Sequence, residues 1–296
     1  MMDFTQRYQE YLSEFESYAN AYVDKLVTNP AVLGESIRYS IKNGGKRIRP
    51  VLALASADVL GVPKTEILPF ALALEMIHTY SLIHDDLPAM DNDDYRRGQL
   101  SNHKVFGEGN AILAGDGLLN EAYAICFDEC MKGEKYALAS RFLNECAGIR
   151  GMIIGQSADL YFAQKENIAK DEDLAYIYTH KTGKLLLAPV AIASILSGNK
   201  YYLQLEHFGK LLGDLFQTTD DILDVTGKFD ELGKSVGKDA VENKLTSIRL
   251  YGVDGAKIHA DMIAKDCHAV LEVLDGTESD TTFLHGLIDY ILHRSK

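Results

Sequence analysis

The chain has 296 residues, and its 30 Lys and Arg against 43 Asp and Glu give a formal net charge of −13. That charge disfavours nucleic acid and anionic lipid surfaces as partners, although local cations or bound divalent metals can still attract an anion into a cleft. A hydrophobic share of 47% with 25% charged residues is typical of a globular protein with a sizeable core.

The compartment is predicted from the cysteines and the N-terminus. Cys126, Cys130, Cys146 and Cys267 form no CxxC pair, which indicates buried thiols rather than disulfides. The first residues carry no basic stretch followed by an apolar run, and we find no window of about 18 apolar residues that would span a bilayer. We therefore expect a cytoplasmic protein without stable membrane insertion.

The backbone pattern predicts an all-α protein. Only 6 prolines occur, and long stretches rich in Ala, Leu, Glu and Lys repeat apolar residues at three and four positions. No short repeat and no linker rich in Ser, Gly or Pro divides the chain, so we expect a single domain over residues 1–296. Glycine, proline and asparagine predict breaks between helices at 43–45, 61–63, 98, 107–109, 197–199, 227–237 and 275–276.

The first segment with evident chemistry is Gly44-Gly45-Lys46-Arg47-Ile48-Arg49-Pro50. Two glycines before three cations suit an oxyanion that lies close to the backbone, although an exposed basic turn has the same pattern. His78 lies seven residues before Asp85, on the same helix face and about 10 Å along the axis. It could donate to a phosphate group, whereas a lone histidine is more often a core residue.

Two aspartate clusters each follow an apolar helical stretch. Adjacent carboxylates repel each other and resist desolvation, so a cation is expected between them, and ligands that are all oxygen suit magnesium. In the first cluster Pro88 should end the helix, so that Asp91 folds back toward Asp85 and Asp86. In the second cluster Asp220 and Asp224 share one helix face, with Asp221 beside them.

Further cations stand near both clusters. Tyr95-Arg96-Arg97-Gly98 follows the first aspartates, so metal-binding acid and phosphate-binding guanidinium alternate within one stretch. His180-Lys181-Thr182-Gly183-Lys184 and Gly233-Lys234 supply more cations, and Gln217 precedes the second aspartates. Together these segments predict a cleft with two metal-binding walls and enough cations for two diphosphates.

Five segments in this order, GGKRIRP, DDLPAMDNDDYRRG, GQSADL, HKTGKLL and FQTTDDILDV, resemble the signature of the trans-isoprenyl diphosphate synthases. The resemblance runs along almost the entire chain. Proline within the first cluster and Tyr80 five residues ahead of Asp85 resemble the bacterial members that form farnesyl diphosphate. The C-terminal segment Asp289-Tyr290-Ile291-Leu292-His293-Arg294 is similar to theirs as well.

The resemblance implies the isoprenoid synthase fold, with helices around a deep central cavity, and a homodimer. It implies condensation of isopentenyl diphosphate with dimethylallyl and geranyl diphosphate to give farnesyl diphosphate. Several Mg²⁺ ions would be held by Asp85, Asp86, Asp91, Asp220, Asp221 and Asp224. Isopentenyl diphosphate would be bound by Gly45, Lys46, Arg49, His78 and Arg97, and the allylic diphosphate by Arg96, Lys181 and Lys234.

The same resemblance gives Lys181, Thr182 and Gln217 catalytic roles, the last two beside the carbocation, and makes Tyr80 the cavity floor that limits product length. On an ideal helix Tyr80 lies about 140° round from Asp85, so spacing alone does not support that floor. The chain departs from the family pattern at Gln99-Leu100-Ser101 and at Ser247-Ile248, outside the predicted ligands.

Several alternatives stay open at this point. A cavity shallower than that of a farnesyl diphosphate synthase would give geranyl diphosphate, and a deeper one would give geranylgeranyl diphosphate. A class I terpene cyclase shares the fold, but it usually replaces Asp220-Asp221-Ile222-Leu223-Asp224 with an Asn, Ser and Glu pattern. A helical di-iron protein needs two Glu-x-x-His pairs, and only Glu75-Met76-Ile77-His78 supplies one. A non-catalytic partner subunit need not keep both aspartate clusters.

Overall fold

The computed structural model describes residues 3–164, 170–227, 244–275 and 279–294. Within these ranges the chain forms α-helices, one two-stranded hairpin and one π-helical segment, in agreement with the all-α prediction. The helices are α1 (Phe4–Val23), α2 (Ala31–Lys42), α3 (Ile48–Leu60), α4 (Lys64–Asp85), α5 (Asn102–Phe106), α6 (Glu108–Cys130), α7 (Glu134–Ala147), α8 (Met152–Ala163), α9 (Asp171–Ile177), α10 (Lys184–Leu196), α11 (Tyr202–Thr226), α12 (Ser247–Asp275) and α13 (Thr282–His293). The π-helical segment is Tyr178–Gly183, and the hairpin pairs β1 (Tyr95–Arg96) with β2 (Gln99–Leu100) in antiparallel fashion.

The centre of the molecule consists of helices that are apolar on every side. All residues of α10 from Leu185 to Leu196 are buried, and most of α3 and of α4 are buried in the same core. A helix without a polar face is stable in water only when other helices surround it. Here α10 packs against α3, α4, α7 and α11, and α4 packs against α3 and α6.

Among the described residues α4 is long and apolar enough to cross a membrane by length and composition. The helix is not an unbroken run of 18 apolar residues, because Glu75, His78 and His84 lie within it. Moreover, 72% of its 18-residue apolar window is buried inside the protein, as in the core helix of a globular domain, so the match is weak evidence for a membrane span. The prediction of buried thiols is confirmed for Cys126, Cys146 and Cys267, and all four cysteines are free thiols.

The fold brings three segments to one end of the core. Helix α4 ends at Asp85, the second half of α11 carries Asp220 and Asp224, and the π-helical segment packs against both α8 and α11. Gly155 on α8 permits that packing, since a Cβ atom there would lie 2.1 Å from the backbone nitrogen of Lys181. A π-helical turn inside a helix is often found at a functional site.

Candidate active site

A cavity of about 810 Å³ opens between these segments. Its lining combines many charged residues with apolar side chains such as Leu185, Met152 and Phe216. The predicted site residues that line it are Gly45, Lys46, Arg49, His78, Tyr80, Asp85, Arg96, Arg97, Lys181, Thr182, Asp220 and Asp224.

The first aspartate segment bends as its proline predicts. Helix α4 ends at Asp85, and beyond it the backbone N–H of Asp91 donates to the carbonyl of Asp85 at 2.8 Å. Asp91 is thereby brought back beside Asp85. Burial raises the pKa of Asp85 to about 6; nearby Lys181 opposes the rise, and the Asp91 carboxylate adds to it. A desolvated carboxylate in this setting favours a nearby cation.

Asp86 does not line this cavity. Only 2% of it is exposed, and its carboxylate accepts hydrogen bonds from the Nε and Nη2 atoms of Arg96, the first at 3.0 Å. Burial raises the pKa of Asp86, and the Arg96 guanidinium opposes that rise. In this structure Asp86 positions Arg96 at the cavity wall, and its role as a metal ligand remains a prediction.

The three aspartates of the second cluster also lie in different environments. Asp220 and Asp224 line the cavity, and Oδ2 of Asp224 is buried without a hydrogen-bond partner among the described residues. Asp221 lies about 60 to 100° round the helix from them, because each residue turns the chain by about 100°. Its carboxylate accepts hydrogen bonds from the Tyr178 hydroxyl, from Gln217 Nε2 at 3.0 Å and from the backbone N–H of Ser247 at 2.7 Å.

The sequence interpretation placed Asp221 with Asp220 and Asp224 around one cation. In the structure the carboxylate of Asp221 instead joins α11 to the π-helical segment and to the start of α12. Asp91 likewise forms an ion pair with Lys244, 3.3 Å between Nζ and Oδ2. No group of three His, Cys, Asp or Glu residues within the described ranges has the geometry of a ready metal site.

A dense group of basic residues also lines the cavity. Arg49, Arg97 and His78 all line the cavity, and burial lowers the pKa of each of them. Nearby guanidinium groups lower the pKa of His78 further, so its imidazole is neutral at physiological pH. The buried Nε of Arg49 has no hydrogen-bond partner in the described structure. Buried cations of this kind are stabilised by an anionic ligand.

Two contacts that the sequence did not predict hold this group in place. Glu75 is buried and accepts a hydrogen bond from Arg47 Nη1 at 2.7 Å. Arg97 donates to the carbonyl of Gly44, and a Cβ atom at Gly45 would lie 2.6 Å from the Arg97 guanidinium carbon. The second glycine is thus required because Arg97 crosses directly over the backbone, where Gly45 has φ of +119°.

The π-helical segment supplies Lys181 and Thr182 to the cavity. Lys181 forms an ion pair with Asp159 of α8, a residue that lies in GQSADL and was not assigned a role from the sequence. Thr182 donates its hydroxyl hydrogen to Oε1 of Gln217 at 2.7 Å, and Gln217 donates in turn to Asp221. Gln217 therefore contacts a cavity residue, although it is not itself among the lining side chains.

Arg294, immediately after α13, is a site residue that the sequence interpretation missed. Its side chain is 1% exposed, donates to Asp220 Oδ1 at 2.6 Å and lies over the Phe216 ring with Cζ 4.0 Å from the centroid. Its Nε and Nη1 atoms are buried without partners in the described parts of the chain. It lines the cavity, so the C-terminal region closes one side of the site.

Tyr80 lines the cavity from α4, one and a half turns before Asp85. It is 6% exposed, its ring meets that of His84 edge on at 5.7 Å, and its hydroxyl has no hydrogen-bond partner among the described residues. The position agrees with the predicted floor, which itself remains a prediction. Lys234 lies outside the described residues.

Known proteins resemble this chain in sequence and in fold. Over 266 residues it is 43% identical to a farnesyl diphosphate synthase of Micrococcus luteus, covering 89% of this chain and 90% of that protein. A chloroplastic geranylgeranyl pyrophosphate synthase of Capsicum annuum is 40% identical over 294 residues, 96% of this chain and 78% of that protein. A Helicobacter pylori geranyltransferase, solved in complex with magnesium and isoprenyl diphosphate, superposes with a TM-score of 0.82 at 30% identity, covering 97% of this chain and 96% of that one.

The comparison with protein families agrees with the site geometry. The polyprenyl synthetase model matches residues 30–273, a range that contains both aspartate clusters and most of the cavity lining. This chain belongs to the polyprenyl synthetase family.

Proposed function

We propose that this chain is a magnesium-dependent farnesyl diphosphate synthase that joins isopentenyl diphosphate first to dimethylallyl diphosphate and then to geranyl diphosphate. One observation carries the proposal: a single cavity combines carboxylates on two walls, a dense group of cations and an apolar interior. The farnesyl diphosphate synthase of Micrococcus luteus supports the farnesyl product. The similarity to the geranylgeranyl pyrophosphate synthase of Capsicum annuum supports geranylgeranyl diphosphate as the alternative product.

The donor atoms of the cavity fit magnesium. Asp85, Asp220 and Asp224 offer only oxygen ligands, which this ion prefers, and Asp224 has a buried oxygen atom with no partner in the described structure. Asp85 on one wall, and Asp220 with Asp224 on the other, would each contribute ligands to the several ions expected, and Asp86, Asp91 and Asp221 remain further predicted ligands. When bound, magnesium neutralises the charge that builds on the departing allylic diphosphate.

The isopentenyl diphosphate end of the cavity is assigned to Lys46, Arg49, His78 and Arg97. Guanidinium groups pair with phosphate through two parallel hydrogen bonds, and the unpartnered Nε of Arg49 is available for such a contact. Neutral His78 can donate one ring N–H without adding charge to this group of cations. Gly45 lets the chain and Arg97 approach the same phosphate closely.

The allylic diphosphate is assigned to Lys181 and Arg96, together with Lys234. Asp159 holds the amine of Lys181, and Asp86 holds the guanidinium of Arg96. These carboxylates fix the direction of both cations before substrate arrives, so less ordering is needed at the moment of reaction. Asp159 and Asp86 thus act as positioning residues.

Ionisation of the allylic carbon–oxygen bond leaves a carbocation, which the double bond of isopentenyl diphosphate attacks. Because Thr182 donates its hydrogen to Gln217, its oxygen lone pairs remain for the cavity, where they stabilise positive charge. Leu185, Met152 and Phe216 exclude water that would quench the cation. The proton lost in the last step goes to the released diphosphate, so no protein base is required.

The assignment is tested by chromatography of the products after purified protein is incubated with dimethylallyl diphosphate, isopentenyl diphosphate and magnesium. We expect farnesyl diphosphate as the main product and no reaction after chelation of the metal. A main product of twenty carbons would overturn the farnesyl assignment but keep the family chemistry. Release of a hydrocarbon from farnesyl diphosphate alone would overturn it in favour of a cyclase.

We also propose a homodimer that meets through α6. Leu113 and Phe127 of α6 and Met131 immediately after it are 55%, 71% and 88% exposed, and their spacing places them within about 40° of one another around the helix axis. Apolar residues that share an exposed face indicate an interaction surface. The free thiols of the chain suit a reducing compartment, and we place the dimer in the cytoplasm.

Phe127→Glu is expected to convert the dimer to a monomer, because it places a charge within that exposed apolar face. Light scattering should fall from twice the 32.8 kDa mass of the chain to that mass itself. Ile258→Glu is the matched control, since Ile258 is 62% exposed on α12 and does not share the face. A wild-type protein that is monomeric at micromolar concentration would contradict the dimer.

A further inference from the structure

Two histidines on the C-terminal helices face each other outside the cavity. His268 of α12 and His285 of α13 place their Nδ1 atoms 2.6 Å apart. The planes of the two rings differ by 5°, and their centroids are 4.9 Å apart. The side chains are 29% and 24% exposed, so water reaches the pair. Neither residue lines the cavity.

The outer nitrogen of each ring faces a carboxylate. His268 Nε2 lies 3.2 Å from Asp289 Oδ1, and His285 Nε2 lies 3.0 Å from Asp275 Oδ2. The Thr281 hydroxyl donates to the other oxygen of Asp275 and holds that carboxylate in place. The arrangement is a row of carboxylate, imidazole, imidazole and carboxylate that connects α12 to α13.

The hydrogens of this row can be counted. An ionised carboxylate only accepts, so each Nε2 atom carries the ring hydrogen, and in the neutral tautomer each Nδ1 atom then has a bare lone pair. Two lone pairs 2.6 Å apart repel each other unless a cation lies between them. The two flanking carboxylates favour that positive charge.

We propose that His268 and His285 bind a divalent transition-metal ion, Zn²⁺ or its neighbours Cu²⁺ and Ni²⁺, through their Nδ1 atoms. Imidazole nitrogen suits these ions, whereas magnesium prefers oxygen. Histidines that bind metals almost always donate their other N–H to a carboxylate or carbonyl, as both rings do here. Water completes the coordination, because the two histidines supply only two ligands.

The pair must open slightly to admit the ion. Two metal–nitrogen bonds of about 2.1 Å that meet at a tetrahedral angle hold their nitrogens about 3.4 Å apart. An opening of less than about 1 Å is therefore enough, and the partly exposed rings can provide it by rotation. The bound ion would join α12 to α13, the helix that leads into Arg294 at the cavity. This site does not depend on which prenyl diphosphate the chain forms.

The test is a titration of metal-free protein with Zn²⁺ by calorimetry and with Co²⁺ by visible absorption, in millimolar magnesium to occupy the cavity carboxylates. We expect one site per chain in wild type. His268→Gln and His285→Gln should each lower the affinity at least tenfold, and up to about a hundredfold. Asp275→Asn and Asp289→Asn should weaken binding about tenfold, because they remove the groups that orient the rings. Zn²⁺ should also raise the melting temperature of wild type and not that of the histidine variants.

His259→Gln is the control, because His259 is an exposed histidine on the same helix that contacts Tyr251 instead. It should bind Zn²⁺ as wild type does, and circular dichroism should show that all variants remain helical. The proposal is overturned if His268→Gln keeps wild-type affinity. It is overturned equally if no binding occurs at millimolar Zn²⁺ while nuclear magnetic resonance shows a proton shared between the two Nδ1 atoms.

Discussion

Tyr80→Ala is expected to shift the main product from farnesyl diphosphate to chains of twenty carbons or more. Tyr80 is buried and lines the cavity, so its removal extends the space available to the growing chain by most of an aromatic ring. The measurement is chromatography of the products at fixed substrate ratio, and the share of products longer than farnesyl should rise at least tenfold. Truncation of a buried aromatic side chain costs about 3 to 5 kcal/mol, so the assay belongs well below the melting temperature.

Tyr80→Phe is the matched control for this prediction. The Tyr80 hydroxyl has no hydrogen-bond partner among the described residues, so its loss should leave both stability and product length close to wild type. The ring alone then limits the product. If Tyr80→Ala forms no longer products than wild type, the tyrosine is an ordinary core residue and the floor lies elsewhere in the cavity.

The fold and the first aspartate bend were predictable because their causes are local in sequence. Apolar spacing and the scarcity of proline predict helices, and Pro88 predicts the end of α4. The hydrogen bond from the Asp91 N–H to the Asp85 carbonyl then follows within a few residues. The same arithmetic of helix spacing correctly brings Asp220 and Asp224 to one cavity.

The partners of the remaining carboxylates were not predictable from spacing. Asp221 is bound by Tyr178 and Ser247, which lie 43 and 26 positions away, and no local pattern shows which residues the fold brings there. The contact between Arg294 and Asp220 spans 74 positions. Asp159 lies in GQSADL, one of the segments that resemble the family signature. Nothing in the sequence shows, however, that Asp159 forms an ion pair with Lys181.

The contact with Arg294 affects how Asp220 can bind a metal ion. In the described structure the guanidinium of Arg294 donates to the same carboxylate that is assigned to magnesium. Arg294 therefore supplies positive charge to this wall of the cavity, and a metal ion that binds Asp220 shares or replaces that contact. A carboxylate at the cavity surface thus differs from Asp221, whose partners belong to the framework of the fold.

Asp85→Asn is expected to reduce turnover about a thousandfold while leaving the protein as stable as wild type or more stable. Loss of one group that stabilises developing charge in an active site typically costs about a hundredfold to a thousandfold, and Asp85 is assigned to the metal that would neutralise the leaving group. Asp85 is desolvated and repelled by Asp91 and Asp86, so a neutral amide of the same shape relieves the folded state. Steady-state kinetics and thermal unfolding in the presence of a chelator measure the two effects separately.

Asp221→Asn provides the contrast, because it lies in the other cluster but its partners are structural. Tyr178 and Ser247 both donate to Oδ2 of Asp221, and Gln217 donates to Oδ1. An amide accepts at only one of these two positions, so a donor at the other is left without a partner. Its melting temperature should fall by several degrees, in line with a loss of about 1 to 3 kcal/mol. Near-normal turnover in Asp85→Asn, or a loss of stability equal to that of Asp221→Asn, would show that Asp85 belongs to the framework and not to the reaction.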